Sequence, residues 1–277
     1  MYKDFFGLRE RPFSKTPDPQ YLYASSQHRE ALARLQHGVE EREIILLTGE
    51  IGCGKTTLSR ALMDALGTTA KVLLLTNPRL TPLELLLSLA LRLGIDPPPR
   101  QRPDLLAAIE RELYALFEQG HIPVLLIDEA HLIPHRDTFE ELRLLTNFQL
   151  DDGNLLAILL IGQPELRQRL AHPVYEPLRQ RIGLQFHLGA LSAAETAAYV
   201  KHRILCAGGS GALFTASALD ALYRVSRGVP RLINQSASLA LLEAYGRGVA
   251  QVDAEILSEV GRELEGIQGV MPGSCES

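Results

Sequence analysis

The stretch that most constrains this chain is a glycine-rich turn. Residues 44–47, Ile-Ile-Leu-Leu, make a short apolar run. The run breaks into Gly49-Glu50-Ile51-Gly52-Cys53-Gly54-Lys55-Thr56, and a helical pattern follows over residues 57–66. Every required position of G-x-x-x-x-G-K-[ST] is met, in the strand–turn–helix context that the motif needs. Glycines let the backbone curl so that several N–H groups face one phosphate. The helix N-terminus adds the positive end of its dipole. Lys55 has the reach and charge for β- and γ-phosphates, and the Thr56 hydroxyl can ligate Mg²⁺. The candidate nucleotide contacts are Gly49, Glu50, Ile51, Gly52, Cys53, Gly54, Lys55, Thr56 and Thr57. Cys53 stands at a variable loop position and reads as a small space-filling residue rather than a redox centre.

Composition narrows the rest. At 277 residues the chain is long enough for about two domains. Apolar residues at 46% and charged residues at 22% exclude disorder as the main state. Lys and Arg total 28 against 33 Asp and Glu, so the net charge of −5 argues against a generally cationic nucleic-acid coat. Cys53, Cys206 and Cys275 are too few and too scattered for a disulfide framework or a zinc site. The charged N-terminus lacks a signal-peptide core, and no apolar run approaches the ~20 residues that span a bilayer. A cytoplasmic setting is the expectation.

Short apolar runs at 43–48, 71–76, 123–127, 155–161 and 182–188 alternate with helical patterns. That alternation predicts a mostly parallel α/β sheet. Thr81-Pro82-Leu83-Glu84 carries a capping box with proline at N1. Ser192–Glu195 is a second capping box, and from Leu191 onward only helical patterns remain. The expected organisation is an arm and helix over 1–40, an α/β core over 41–190, a helical lid over 191–265 and a flexible tail over 266–277.

The run at 124–127 ends in Asp128-Glu129. Carboxylates there stand at the C-terminal end of a buried strand, where open α/β sheets bind ligands. Asp128 is suited to hold Mg²⁺ together with Thr56. Glu129 is suited to polarise an attacking water as general base. His131 completes Asp-Glu-Ala-His and reads as a surface or helix-capping histidine. A strand and two helices, 71–118, intervene between the turn and this pair, a spacing that resembles the AAA+ class of P-loop ATPases.

Further motifs carry that resemblance. Gln163, at the end of the fourth run, matches the sensor 1 position, whose side chain orients the lytic water or contacts the γ-phosphate. A plain strand-end turn before Pro164 weighs equally on the residues alone. Arg181, a better match than Arg179, resembles the arginine finger that reaches a neighbouring subunit's nucleotide. Gly228-Val229-Pro230-Arg231 resembles a sensor 2 motif, with Pro230 at helix position N1 and Arg231 in the first turn.

With the arm Phe5-Phe6-Gly7-Leu8, Pro12-Phe13, Pro17-Asp18-Pro19 and Tyr21-Leu22-Tyr23, these pieces resemble the general secretion pathway protein A (ExeA-like) AAA+ ATPase family over about residues 2–265. The resemblance implies a catalytic set of Lys55, Glu129, Gln163 and Arg181, nucleotide contacts from Pro230 and Arg231, and ATP with Mg²⁺ as ligands. It implies a homo-oligomer and a secretion-machine partner. For the arm it implies that Phe13 and Tyr21–Tyr23 line an adenine pocket; an arm that only staples domains is the other reading. Family members usually continue into a transmembrane helix and a peptidoglycan-binding domain, which these 277 residues lack room for. The alternative is therefore a stand-alone, ATP-dependent DNA-binding regulator of transposition (TnsC/TniB-like), with a transposase as partner.

Overall fold

In the computed structural model, residues 2–14, 21, 23–150 and 153–268 are described. The arm residues Pro17, Asp18, Pro19, Gln20 and Leu22, and the tail from 269 onward with Cys275, lie outside the described residues.

In chain order the elements are α1 (Tyr2–Phe5), α2 (Ser26–Glu40), β1 (Ile44–Gly49), α3 (Lys55–Leu66), β2 (Ala70–Leu75), α4 (Pro82–Leu93), α5 (Arg102–Glu118) and β3 (Ile122–Ile127). A 3₁₀ turn at Ala130–Leu132 leads into α6 (Arg136–Leu145). Then come β4 (Gln149–Leu150), β5 (Gly153–Asn154), β6 (Ala157–Gly162), α7 (Pro164–Leu170), α8 (Glu176–Arg179) and β7 (Ile182–Leu188). The chain ends in α9 (Ala193–Cys206), α10 (Ala216–Ser226), α11 (Pro230–Gly246) and α12 (Ala254–Gln268).

The chain divides into two compact units. One is Ser26–Ile51 with Leu58–Gly189; the other is Met1–Ser25, Gly52–Thr57 and Ala190–Ser277. In the first, five parallel strands pair in the order β2-β3-β6-β1-β7. Every residue of β1 and of β6 is buried, which is why their sequences are unbroken apolar runs rather than alternating ones. The edge strands β2 and β7 alternate buried and exposed positions, so β7 tolerates Gln185 and His187. Burial of each such Leu or Ile side chain contributes about 1.5–3 kcal/mol. The helices cover the sheet with Leu85, Leu86 and Leu89 of α4, Leu105 and Ile109 of α5, and Phe139 and Leu142 of α6.

The capping box expected at Thr81 forms. Glu84 N–H donates to Thr81 Oγ1 at 3.4 Å, and Thr81 N–H donates to Glu84 Oε2 at 2.8 Å. The Thr81 N–H, and then the Thr81 hydroxyl, which also donates to Oε2 at 2.8 Å, hold the exposed Glu84 carboxyl below the usual carboxylate range. Helix α3 opens at Lys55, two residues before the expected Thr57. Gly54, at φ +100, is the residue that turns the chain, and nothing after it opposes helix.

The second unit is a helical bundle with the arm built into its core. Ser192 and Glu195 form the second capping box (3.2 and 3.1 Å) at the start of α9. Arg203 on α9 is only 6% exposed. Its guanidinium donates to Pro12 O at 2.6 Å and to Tyr199 Oη at 2.8 Å, and lies 4.7 Å from the Tyr21 ring centre. A buried cation is tolerated when its donors are satisfied in this way. Phe13 packs edge-on against Phe214 at 6.1 Å, so Phe13 and Tyr21 are taken up by contacts inside this core. Among the described residues no helix is long and apolar enough to cross a membrane.

Candidate functional site

Two constellations carry the candidate residues, one in each unit. In the sheet unit, β3, β6 and β1 are adjacent and parallel, with Ile127 opposite Leu160 and Thr48 opposite Gly162. Their C-terminal ends therefore line up, and each delivers a candidate residue: Asp128 after β3, Gln163 after β6, and Gly49 closing β1. A methyl group on Gly49 would lie 2.5 Å from Leu188 O, so the strand end is closely packed there. Asp128 and Glu129 are both half-buried. Glu129 N–H donates to Asp128 Oδ1 at 2.9 Å. Glu129 itself occupies the left-handed region (φ 54, ψ 35), uncommon for a residue with a long side chain. Strain of that kind gathers at functional turns.

His131 does not lie on the surface. Its side chain is 13% exposed, and its Nδ1 is 3.4 Å from Glu129 Oε2 and 3.4 Å from the Gln163 backbone nitrogen, which donates to it. Gly162 permits this approach, since a methyl there would meet the His131 backbone nitrogen at 3.3 Å. Arg169 on α7 secures the same turn. Its guanidinium donates to Ile133 O and to Pro134 O (3.2 Å for the second), and packs 4.9 Å from the Phe139 ring centre. Sequence reading took His131 for a surface or helix-capping histidine and did not single out Arg169. His131 and Gln163 are 32 positions apart, and a histidine four residues past a strand carries no local sign of such a contact.

Gln163 caps α7 with extended backbone (φ −81, ψ 169) and makes no side-chain capping bond, so its amide is not committed to the helix. Arg181 stands elsewhere. It directly precedes β7, which runs parallel to β1 with Gly49 opposite Leu188. Arg181 is thus a full strand length, about 20 Å at ~3.3 Å per residue, from the end that carries Gly49, Asp128 and Gln163. It is exposed, and its Nη1 donates to Thr146 Oγ1 at 2.7 Å. Arg179 is engaged within its own segment by the Glu176 carboxylate and by Ala171 O at 2.9 Å.

In the helical unit, the turn Gly52–Thr57 lies against the first turn of α11. Gly52 (φ +86) and Gly54 (φ +100) both hold conformations that side chains disfavour. Arg231 N–H donates to Gly52 O at 3.2 Å, and a methyl on Gly52 would lie 2.5 Å from Arg231 Cβ. Pro230 is the first residue of α11, where its missing N–H costs nothing. The Arg231 side chain is exposed. Lys55 is 8% exposed, Cys53 is fully buried, and Glu50, Ile51 and Thr56 are exposed while Thr57 is half-buried. Lys55, Thr56 and Thr57 are the first residues of α3, so their N–H groups lie at the positive end of the helix dipole.

Thr56 and Asp128 offer hard oxygen donors, the type that suits Mg²⁺. Among the described residues no three His, Cys, Asp or Glu side chains converge on a metal position.

Residues 37–170 match the AAA domain family. Over 271 residues, 97% of the chain, the sequence is 42% identical to General secretion pathway protein A of Aeromonas hydrophila, and it spans 49% of that relative's length. The fold is similar to that of the Aeropyrum pernix ORC2 protein in its ADPNP–ADP complexes (TM-score 0.65, 19% identity, 92% of this chain and 72% of that one). It is also similar to Drosophila ORC bound to DNA (TM-score 0.67, 18% identity, 96% of this chain and 68% of that one). The chain thus has the AAA+ P-loop NTPase fold, carries an AAA domain, and resembles general secretion pathway protein A along nearly its whole length.

Proposed function

We propose that this chain binds ATP with Mg²⁺ and hydrolyses the β–γ phosphoanhydride, serving as an assembly or switch component of a secretion or cell-envelope machine at its cytoplasmic side. The observation that carries the nucleotide reading is the glycine turn. Gly52 and Gly54 take positive φ values immediately before a helix whose first two residues are Lys55 and Thr56. Backbone N–H groups so arranged favour a phosphate.

In the proposed reaction Lys55 balances charge on the β- and γ-oxygens. Thr56 and Asp128 hold Mg²⁺, which neutralises phosphate charge when bound. Glu129 accepts a proton from water as the water oxygen bonds to the γ-phosphorus. The bond from that phosphorus to the β-phosphate oxygen breaks, and ADP leaves. Gln163 orients the water through its amide, and Arg231 offers a cation to the γ-phosphate. Arg181 lies a strand length from the sheet end that carries Gly49, Asp128 and Gln163, so it acts on a second copy of the chain. An arginine acting in this way is worth ~10³–10⁵ in rate in other P-loop enzymes. The machine role rests on the similarity to general secretion pathway protein A.

The test is ADP release by the wild type with Mg²⁺ and ATP, beside Lys55→Ala. The wild type turns over, at a rate per protein that rises with concentration, and Lys55→Ala neither binds nor hydrolyses. A wild type that binds no ATP overturns the reading. A rate independent of concentration in a protein that stays monomeric removes the role of Arg181.

A further inference from the structure

We infer that His131 is a positioning residue that links the Gln163 backbone to the Glu129 carboxylate and sets whether that carboxylate is held or available. The inference rests on the hydrolase reading above and concerns the control of the same site.

Two groups converge on one atom. Glu129 Oε2 and the Gln163 backbone nitrogen each lie 3.4 Å from His131 Nδ1. That nitrogen serves one partner at a time. Without hydrogen it accepts from the Gln163 N–H; with hydrogen it donates to Glu129. In the first arrangement the carboxylate faces a lone pair, which does not hold it, and it is available to water. In the second it is fixed to the imidazole and Gln163 N–H is released. A shared atom with two exclusive partners is a two-state element, which physical coupling between sites requires.

The surroundings leave His131 little room for other positions. Its side chain is 13% exposed, its backbone lies close against Gly162, and Arg169 ties the following carbonyls of Ile133 and Pro134 to α7. Gln163 is the N-cap of α7, so any shift of that residue toward a phosphate moves the group that occupies Nδ1. Glu129 has no helix to anchor it and stands in a left-handed turn. The imidazole is a side-chain partner of its carboxylate.

The test uses the full chain and pairs kinetics with a readout that needs no turnover. His131→Leu removes Nδ1; kcat falls ten-fold or more while KM and binding of a non-hydrolysable ATP analogue stay within about three-fold. His131→Asn returns a polar atom to the Nδ1 position and restores kcat to within about three-fold of wild type. In a Glu129→Gln background, His131→Leu costs less than about two-fold more, because the partner it positions is already gone. In ¹⁵N NMR of the wild type, the His131 ring nitrogens and the Gln163 amide shift together when the analogue binds.

A His131→Leu variant with kcat within two-fold of a wild type that does hydrolyse ATP overturns the relay and leaves the hydrolase reading standing. So does a full additional loss in the Glu129→Gln background, or ring-nitrogen signals that ignore the analogue. A wild type without ATP binding removes both readings together. Should His131→Leu fail to fold, the Asn variant and the wild-type NMR decide.

Discussion

In the glycine turn the working surface is backbone, whereas at the acidic sheet edge it is side chain. Gly52 and Gly54 hold φ values of +86 and +100, and Gly52 has Arg231 packed where a Cβ would stand. The shape of that turn depends on atoms that are missing. Asp128, Glu129 and Gln163 instead project from the ends of β3 and β6, strands buried almost throughout. There the scaffold is fixed by Leu and Ile packing, and the polar groups are carried on it. Substitutions therefore act differently in the two places. At the edge, chemistry and folding separate; in the turn they do not.

The largest expected effect breaks the two apart. Glu129→Gln keeps the shape of the side chain and removes its basicity, so turnover falls by about 10²–10⁴. ATP binding stays within about three-fold and the thermal midpoint within about 2 °C. Equal loss of stability and turnover would put the edge in the same class as the turn.

Gly52→Ala comes next and behaves in the opposite way. The new methyl meets Arg231 Cβ at 2.5 Å, and the positive φ is strained for alanine. About 1–3 kcal/mol of stability is lost, read by urea denaturation, and ATP binding weakens about ten-fold or more. Cys53→Ala, one residue on, is the control. Cys53 is fully buried at a variable position, so losing its sulfur costs about 1 kcal/mol and leaves binding within about two-fold.

The same contrast explains what could be read from the amino acids. The turn was legible because its geometry is local: glycines, lysine and threonine at fixed spacing between a strand and a helix. The five main strands were legible as apolar runs, and both capping boxes as short patterns. Strand order was not, since β6 enters between β3 and β1 only through pairing with residues far away in the chain. The β4–β5 hairpin, two residues on each side, is too short to leave an apolar run. Arg203 carries no local mark of its burial, because its acceptor, Pro12 O, lies 191 residues away. His131 was misjudged for the same reason: one of its partners, the Gln163 N–H, follows β6 and is 32 residues away, which its own neighbourhood does not encode.

The smallest expected effect belongs to the helical unit and asks whether its arm is a structural part of it. His202 on α9 lies 5.8 Å, ring centre to ring centre, from Tyr23 of the arm and 3.6 Å from Cys206 Sγ. Burial, and then the neighbouring Arg203 cation, hold its pKa below the usual histidine value of 6.5. The folded chain therefore binds the proton less readily than the unfolded chain. The stability this contributes is present in full above pH 6.5 and is lost as pH falls through the depressed folded value. His202→Gln removes that loss, so the difference between urea midpoints at pH 8 and pH 5 shrinks. Deleting the ring of Tyr23 in Tyr23→Ala exposes His202 and shrinks the difference in the same direction. An unchanged pH difference in Tyr23→Ala would mean that α9 alone buries the imidazole, and that the arm adds nothing to this part of the core.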